Sequence, residues 1–236
     1  MVIGLVPVWQ IEARAEELYP SVFSIPALTG NQAYDAAAIA RSQIGYTTYT
    51  NNVTAYTADI GGLQGASWCA YFVKWCLNRA GVTDYLSVSG GAGSSTSLWV
   101  YFDSIGSWHG NFYQKWSYGG KSGTNTKDSS YTPQVGDVVL LETGSSSDGP
   151  DHTGIVVGVS GSSVTTVEGN IGTADKVATF TYDRWSSQIW GFGHPKYTGG
   201  NSGGGSSSAS SLSLSNATVP RAVKQGDSFR ATPHKC

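Results

Sequence analysis

The sequence predicts an α+β fold, with N-terminal helices packed on an antiparallel sheet. Three observations carry this. Helical periodicity is confined to two early stretches, residues 33–45 and 67–80. After residue 137 a series of short, β-branched runs follows. The turns between those runs, such as Gly161-Ser162, are too short for parallel crossovers and favour antiparallel pairing.

Taken in order, the start "MVIGLVPVWQIEARAEE" holds a short apolar run. Ala13-Arg14-Ala15 then has the small-x-small form of a signal cleavage site, although no basic region precedes it. Residues 1–30 are read as an N-terminal segment, with a remnant of a clipped signal peptide and an ordinary N-terminal segment both staying open. "AYDAAAIARSQIG", 33–45, repeats Ala37, Ile39, Ala40 and Ile44 near helical spacing and stops at Gly45. Residues 46–66 are rich in Thr, Asn and Gly and read as a loop. "SWCAYFVKWCLNRA", 67–80, has Ser67 as N-cap and Gly81 beyond its end. Its apolar stripe is Cys69, Phe72, Val73, Cys76 and Ala80.

Residues 82–132 are Gly-, Ser- and aromatic-rich with weak periodicity. Strands are predicted at 138–142, 153–159, 163–168, 176–182 and 189–194. "GGNSGGGSSSASS", 199–211, is a flexible linker. Residues 212–236 read as the truncated start of a second module and weakly resemble the opening of a bacterial immunoglobulin-like repeat. Residues 31–198 are then one domain, long enough to bury a core.

Composition narrows the function. Charged residues make up 13% of the chain and the formal net charge is −2. There is no basic footprint for nucleic acid and no polybasic patch for a membrane. No apolar run is long enough to span a bilayer. Low charge with 31 Gly leans towards a secreted or surface protein, and a monomer is expected. Three cysteines cannot build a disulfide scaffold, and Cys69 and Cys76 stand too far apart on one helix to bridge. No CxxC or His pair offers ligand spacing, so neither metal nor cofactor is expected.

Cys69 falls in the first turn of its helix, where the dipole favours a thiolate. Taken alone it fits a buried apolar thiol, since cysteine is among the most buried residue types. A nucleophile needs a base. Of the four histidines, His109 lies in the aromatic stretch, His194 near the last strand and His234 in the tail. His152 stands at the mouth of a strand. If that strand pairs with the next through the turn at Gly161, His152 meets Glu168 or Asn170, either of which can orient the ring.

Together "WCAYFVKWC", "PQVGDVVLL", "DHTGIVVGV", "TVEGNIG" and "IWGFGHPKY" resemble the CHAP family, the cysteine, histidine-dependent amidohydrolases/peptidases. The resemblance covers residues 33–197, and the E-G-N turn favours CHAP over the NlpC/P60 peptidases. It implies a papain-like α+β fold and a peptidoglycan hydrolase, an N-acetylmuramoyl-L-alanine amidase or a stem or crossbridge endopeptidase. By the same resemblance Cys69 is the nucleophile, His152 the base, and Glu168 and Asn170 the orienting groups. Trp68, Trp99, Trp108, Tyr113 and Trp116 are expected to line a groove for the polymer. Some family members hold calcium before the cysteine; here only Asp59 stands in that region, so no such site is expected. Two alternatives stay open: an inactive wall-binding module, and a cysteine hydrolase or transferase of another amide.

Overall fold

The structure is a computed structural model that describes residues 19–49, 52–83, 93–118, 121–144, 149–172 and 175–198. The expected linker at 199–211, the module at 212–236 and most of the N-terminal segment lie outside the described residues. Four described helices, α1 (Gln32–Ser42), α2 (Ala55–Asp59), α3 (Cys69–Arg79) and α4 (Ser95–Ser104), precede all eight described strands. These are β1 (Trp108–Gly110), β2 (Gln114–Tyr118), β3 (Lys121–Asn125), β4 (Val138–Leu141), β5 (His152–Ser160), β6 (Ser163–Ile171), β7 (Lys176–Asp183) and β8 (Ile189–Gly193). β2 and β3 form a separate hairpin; the other six make one antiparallel sheet in the order β1-β8-β4-β5-β6-β7. The architecture is the α+β, papain-like one expected: a few helices against a mostly antiparallel sheet.

Both faces of the sheet are buried, and the residue pattern follows from this. Val138, Leu140, Ile155, Val157, Val167, Val177 and Trp190 join the helices in the larger core. Val139, Leu141, Val156, Val164, Ile189 and Phe192 form a second cluster, with Tyr131 and Tyr182 packed against it. A strand apolar on both faces reads as a continuous hydrophobic run. That is the case for β4, "VVLL", in which all four residues are buried.

α1 and α3 pack on each other and on β5 and β6, while α4 packs against β1 and β8. α2 is held to α3 through Asp59, whose carboxylate accepts from Trp75 Nε1 at 2.7 Å and pairs with Arg79. The expected loop at 46–66 therefore contains a helix. Its N-cap is Thr54, whose side chain accepts from Thr57 N. The weakly periodic stretch likewise contains α4, capped by Ser94, as well as the β2–β3 hairpin.

Candidate active site

α3 starts at Cys69, so the cysteine is the first helical residue. The N-cap position is held by Trp68 and not by the expected Ser67, and Trp68 makes no side-chain cap bond. The helix start is tied down from a distant strand instead. Asn170, at the end of β6, accepts from the Trp68 backbone N–H through Oδ1 at 2.7 Å. Its Nδ2 donates to Asn52 Oδ1 at 3.0 Å and to Asp175 Oδ1 at 3.1 Å.

His152 opens β5, opposite Leu141 of β4. β5 and β6 pair through the Ser160↔Ser163 turn, which sets Gly154 opposite Glu168. Residues 152 and 154 share a strand face, so His152 and Glu168 become diagonal neighbours. The ring Nε2 lies 3.0 Å from Glu168 Oε2. The other carboxylate oxygen accepts from Thr166 Oγ1 at 2.5 Å and from the Tyr182 hydroxyl at 3.0 Å. Burial first, and then the Glu168 carboxylate, push the Tyr182 hydroxyl far above its ordinary pKa, so it stays a donor. With a carboxylate accepting on one side, Nε2 carries the proton and Nδ1 is left as the ring's acceptor. His152 and Glu168 are both buried.

Two glycines make these contacts possible. A Cβ on Gly154 would sit 2.5 Å from Glu168 Cγ, so only a glycine lets the carboxylate cross the strand to the ring. A Cβ on Gly169 would lie 2.6 Å from the Trp68 ring and 2.9 Å from Phe72 Cβ, so glycine there lets β6 close onto α3. The H-T-G and E-G-N patterns thus have a steric basis.

Cys69 is fully buried and disulfide-bonded, while Cys76 is free and buried. Burial pushes the Cys76 thiol well above its ordinary pKa, as suits a packing residue. The structure brings Glu168 to His152, whereas Asn170 reaches the backbone of the Cys-bearing helix.

The tryptophans expected to line a groove are mostly interior. Trp68 is buried and stacks on Tyr56, with centroids 5.7 Å apart. Trp99 and Trp116 are buried, 4.0 Å apart, and Trp99 also meets Trp190. Trp108 is half-buried and donates from Nε1 to Asn125 Oδ1. Their large apolar surfaces close the core beneath the long irregular segment instead of facing solvent. Tyr113 is exposed, and so is Trp185, which the sequence reading did not single out. Trp185 borders a shallow cleft of about 420 Å³ with Asn111, Phe112, Gln114, Ser186 and Ser187. Among the described residues no group of three or more His, Cys, Asp or Glu side chains is placed to hold a metal ion.

Compared with protein-family models, residues 61–170 match the CHAP domain. That span runs from before α3 to Asn170 and includes Cys69, His152 and Glu168. No curated protein and no solved structure gives a significant match.

Proposed function

Residues 61–170 belong to the CHAP family, and from that premise we propose that the chain hydrolyses an amide bond of bacterial peptidoglycan through a thiol mechanism. The hydrogen bond from His152 Nε2 to Glu168 carries the reading, because it leaves Nδ1 as the proton acceptor next to a helix that begins with cysteine. In the reduced enzyme the Cys69 sulfur attacks the amide carbonyl and His152 Nδ1 takes the thiol proton. Glu168 supports the imidazolium so formed. Amides in the first turn of α3 face the developing oxyanion. The C–N bond breaks as His152 returns the proton to the leaving amine. Water, deprotonated by His152, then hydrolyses the thioester; the acid product leaves and the thiol regains its proton.

Asn170 acts in this scheme by placing the helix start. The catalytic unit is residues 31–198, and it works at or outside the cell surface.

The test is lysis of purified cell walls in the presence of a thiol reductant. Cys69→Ala is expected to abolish lysis and keep the parent's circular dichroism. Cys76→Ala should keep lysis and cost roughly 1–2 kcal/mol of stability, as a small buried truncation does. Walls that clear with Cys69→Ala as fast as with the parent would sink the nucleophile assignment.

A further inference from the structure

Three non-glycine residues among those described have positive φ: Asn52 at 60°, Asn170 at 65° and Asp175 at 41°. Asn52 lies 118 residues before Asn170, yet all three meet in one hydrogen-bonded cluster. L-residues rarely adopt this conformation, and where it persists the surrounding structure must enforce it. Asn and Asp tolerate it best.

The cluster leaves Asn170 one orientation. Its amide has two N–H donors, both used: one to Asn52 Oδ1, one to Asp175 Oδ1. Its oxygen accepts from Trp68 N. Turning the amide over would set NH₂ against an N–H and oxygen against two acceptors, losing all three bonds. Asn52 and Asp175 therefore decide that the oxygen faces the helix.

The two partners belong to different segments, and each segment is fastened separately. The Asn52 carbonyl accepts from Gly65 N, in the approach to α3. The Asp175 carbonyl accepts from Thr48 N, and its own N–H donates to Gly172 O. The loop before the helix, the β6–β7 turn and the helix start thus converge on one side chain. That side chain is two residues from Glu168, which holds His152.

We propose that Asn52 and Asp175 are positioning residues, which lock Asn170 against the Trp68 backbone and so fix Cys69 relative to the His152–Glu168 pair. The proposal rests on the thiol-hydrolase reading of the same site. Loss of either acceptor removes one of the three bonds that hold the Asn170 amide, and the tie between the start of α3 and β6 loosens. Reaction geometry is steep in such displacements, so turnover is expected to fall by about tenfold or more with KM little changed.

The test uses the full chain under reducing conditions, with two readouts. One is the kcat and KM of wall hydrolysis. The other is the alkylation rate of Cys69 by iodoacetamide as a function of pH, followed by mass spectrometry of the Cys69 peptide; it needs no substrate. Asn52→Ala and Asp175→Ala should lower kcat and alter the alkylation profile. Asp175→Asn keeps an acceptor oxygen and should restore both readouts most of the way. Asn52→Gly removes the acceptor while relieving the positive φ, so it should fold at least as stably as Asn52→Ala and still be slow. Full kcat and a parental alkylation profile in Asn52→Gly would overturn the proposal, as would failure of Asp175→Asn to rescue. If walls are not a substrate of the parent but the profile shifts as described, the function assigned above fails and the positioning role stands.

Discussion

Two histidine–carboxylate pairs flank β4 at its opposite ends. His152–Glu168 sits beside Leu141, and His194–Asp137 beside Val138. Both carboxylates are buried and both take further donors: Thr166 and Tyr182 on Glu168, Tyr131 and Gln134 N on Asp137. What differs is the nitrogen used. His152 bonds through Nε2, while His194 bonds through Nδ1, 2.8 Å from Asp137. His109, paired with Asp128 and stacked on Tyr131, also uses Nδ1. The neighbours differ as well. The helix that starts with Cys69 packs on β5 and β6, whereas His194 meets the edge of Tyr197. A His–carboxylate pair thus recurs among the described residues as a structural device. In the function proposed above, such a pair is catalytic only where the remaining nitrogen and a nucleophile share a neighbourhood.

The largest test of that contrast removes each ring in turn. His152→Ala is expected to lower wall hydrolysis by about 10²–10⁴-fold, the range of a lost general base, while His194→Ala stays close to the parent. Turbidity clearing measures both, and equal losses would erase the distinction. A smaller effect sharpens it. Glu168→Gln can still hold the ring but supports the imidazolium less well, so a partial loss of roughly ten- to a hundredfold in kcat is expected. Activity at the parental level would show that the carboxylate's charge has no part in turnover.

The smallest effect concerns stability at the other pair. The hydrogen bond that His194 Nδ1 donates to Asp137 raises the His194 pKa despite the opposing effect of burial. The folded state therefore holds that proton more tightly than the unfolded chain. The stabilisation is complete below the unfolded value of about 6.5 and fades as pH rises through the folded value. His194→Gln should accordingly lower the melting temperature more near pH 5.5 than near pH 8, by a few degrees at most. A difference that does not change with pH would mean that the pair titrates alike in both states.

Much of this was legible in the sequence. The β-branched runs became β4 to β8 within a residue or two, except that β6 continues to Ile171, because a sheet buried on both faces needs such runs. The meeting of His152 with Glu168 followed from a two-residue turn and the strand period. Other features were hidden for physical reasons. Ser67 carries the right side chain for an N-cap, but the tie to the helix start comes from Asn170, 102 residues away from Trp68, and no local pattern encodes that. α2 and α4 are capped by Thr54 and Ser94, ordinary caps lost among many other Thr and Ser residues. The tryptophans in the irregular segment read as surface-facing, yet the bulk of Trp99 and Trp116 is what closes the core there.

Lys74 lies in the middle of α3, fully buried, with no hydrogen-bond partner for its amine. Burial pulls its pKa down to about 8. A reagent in solution reaches the amine only when α3 separates from its surroundings. The labelling rate at Lys74 therefore counts the openings of the helix that carries Cys69, and the chain holds its own clock for local unfolding at the site.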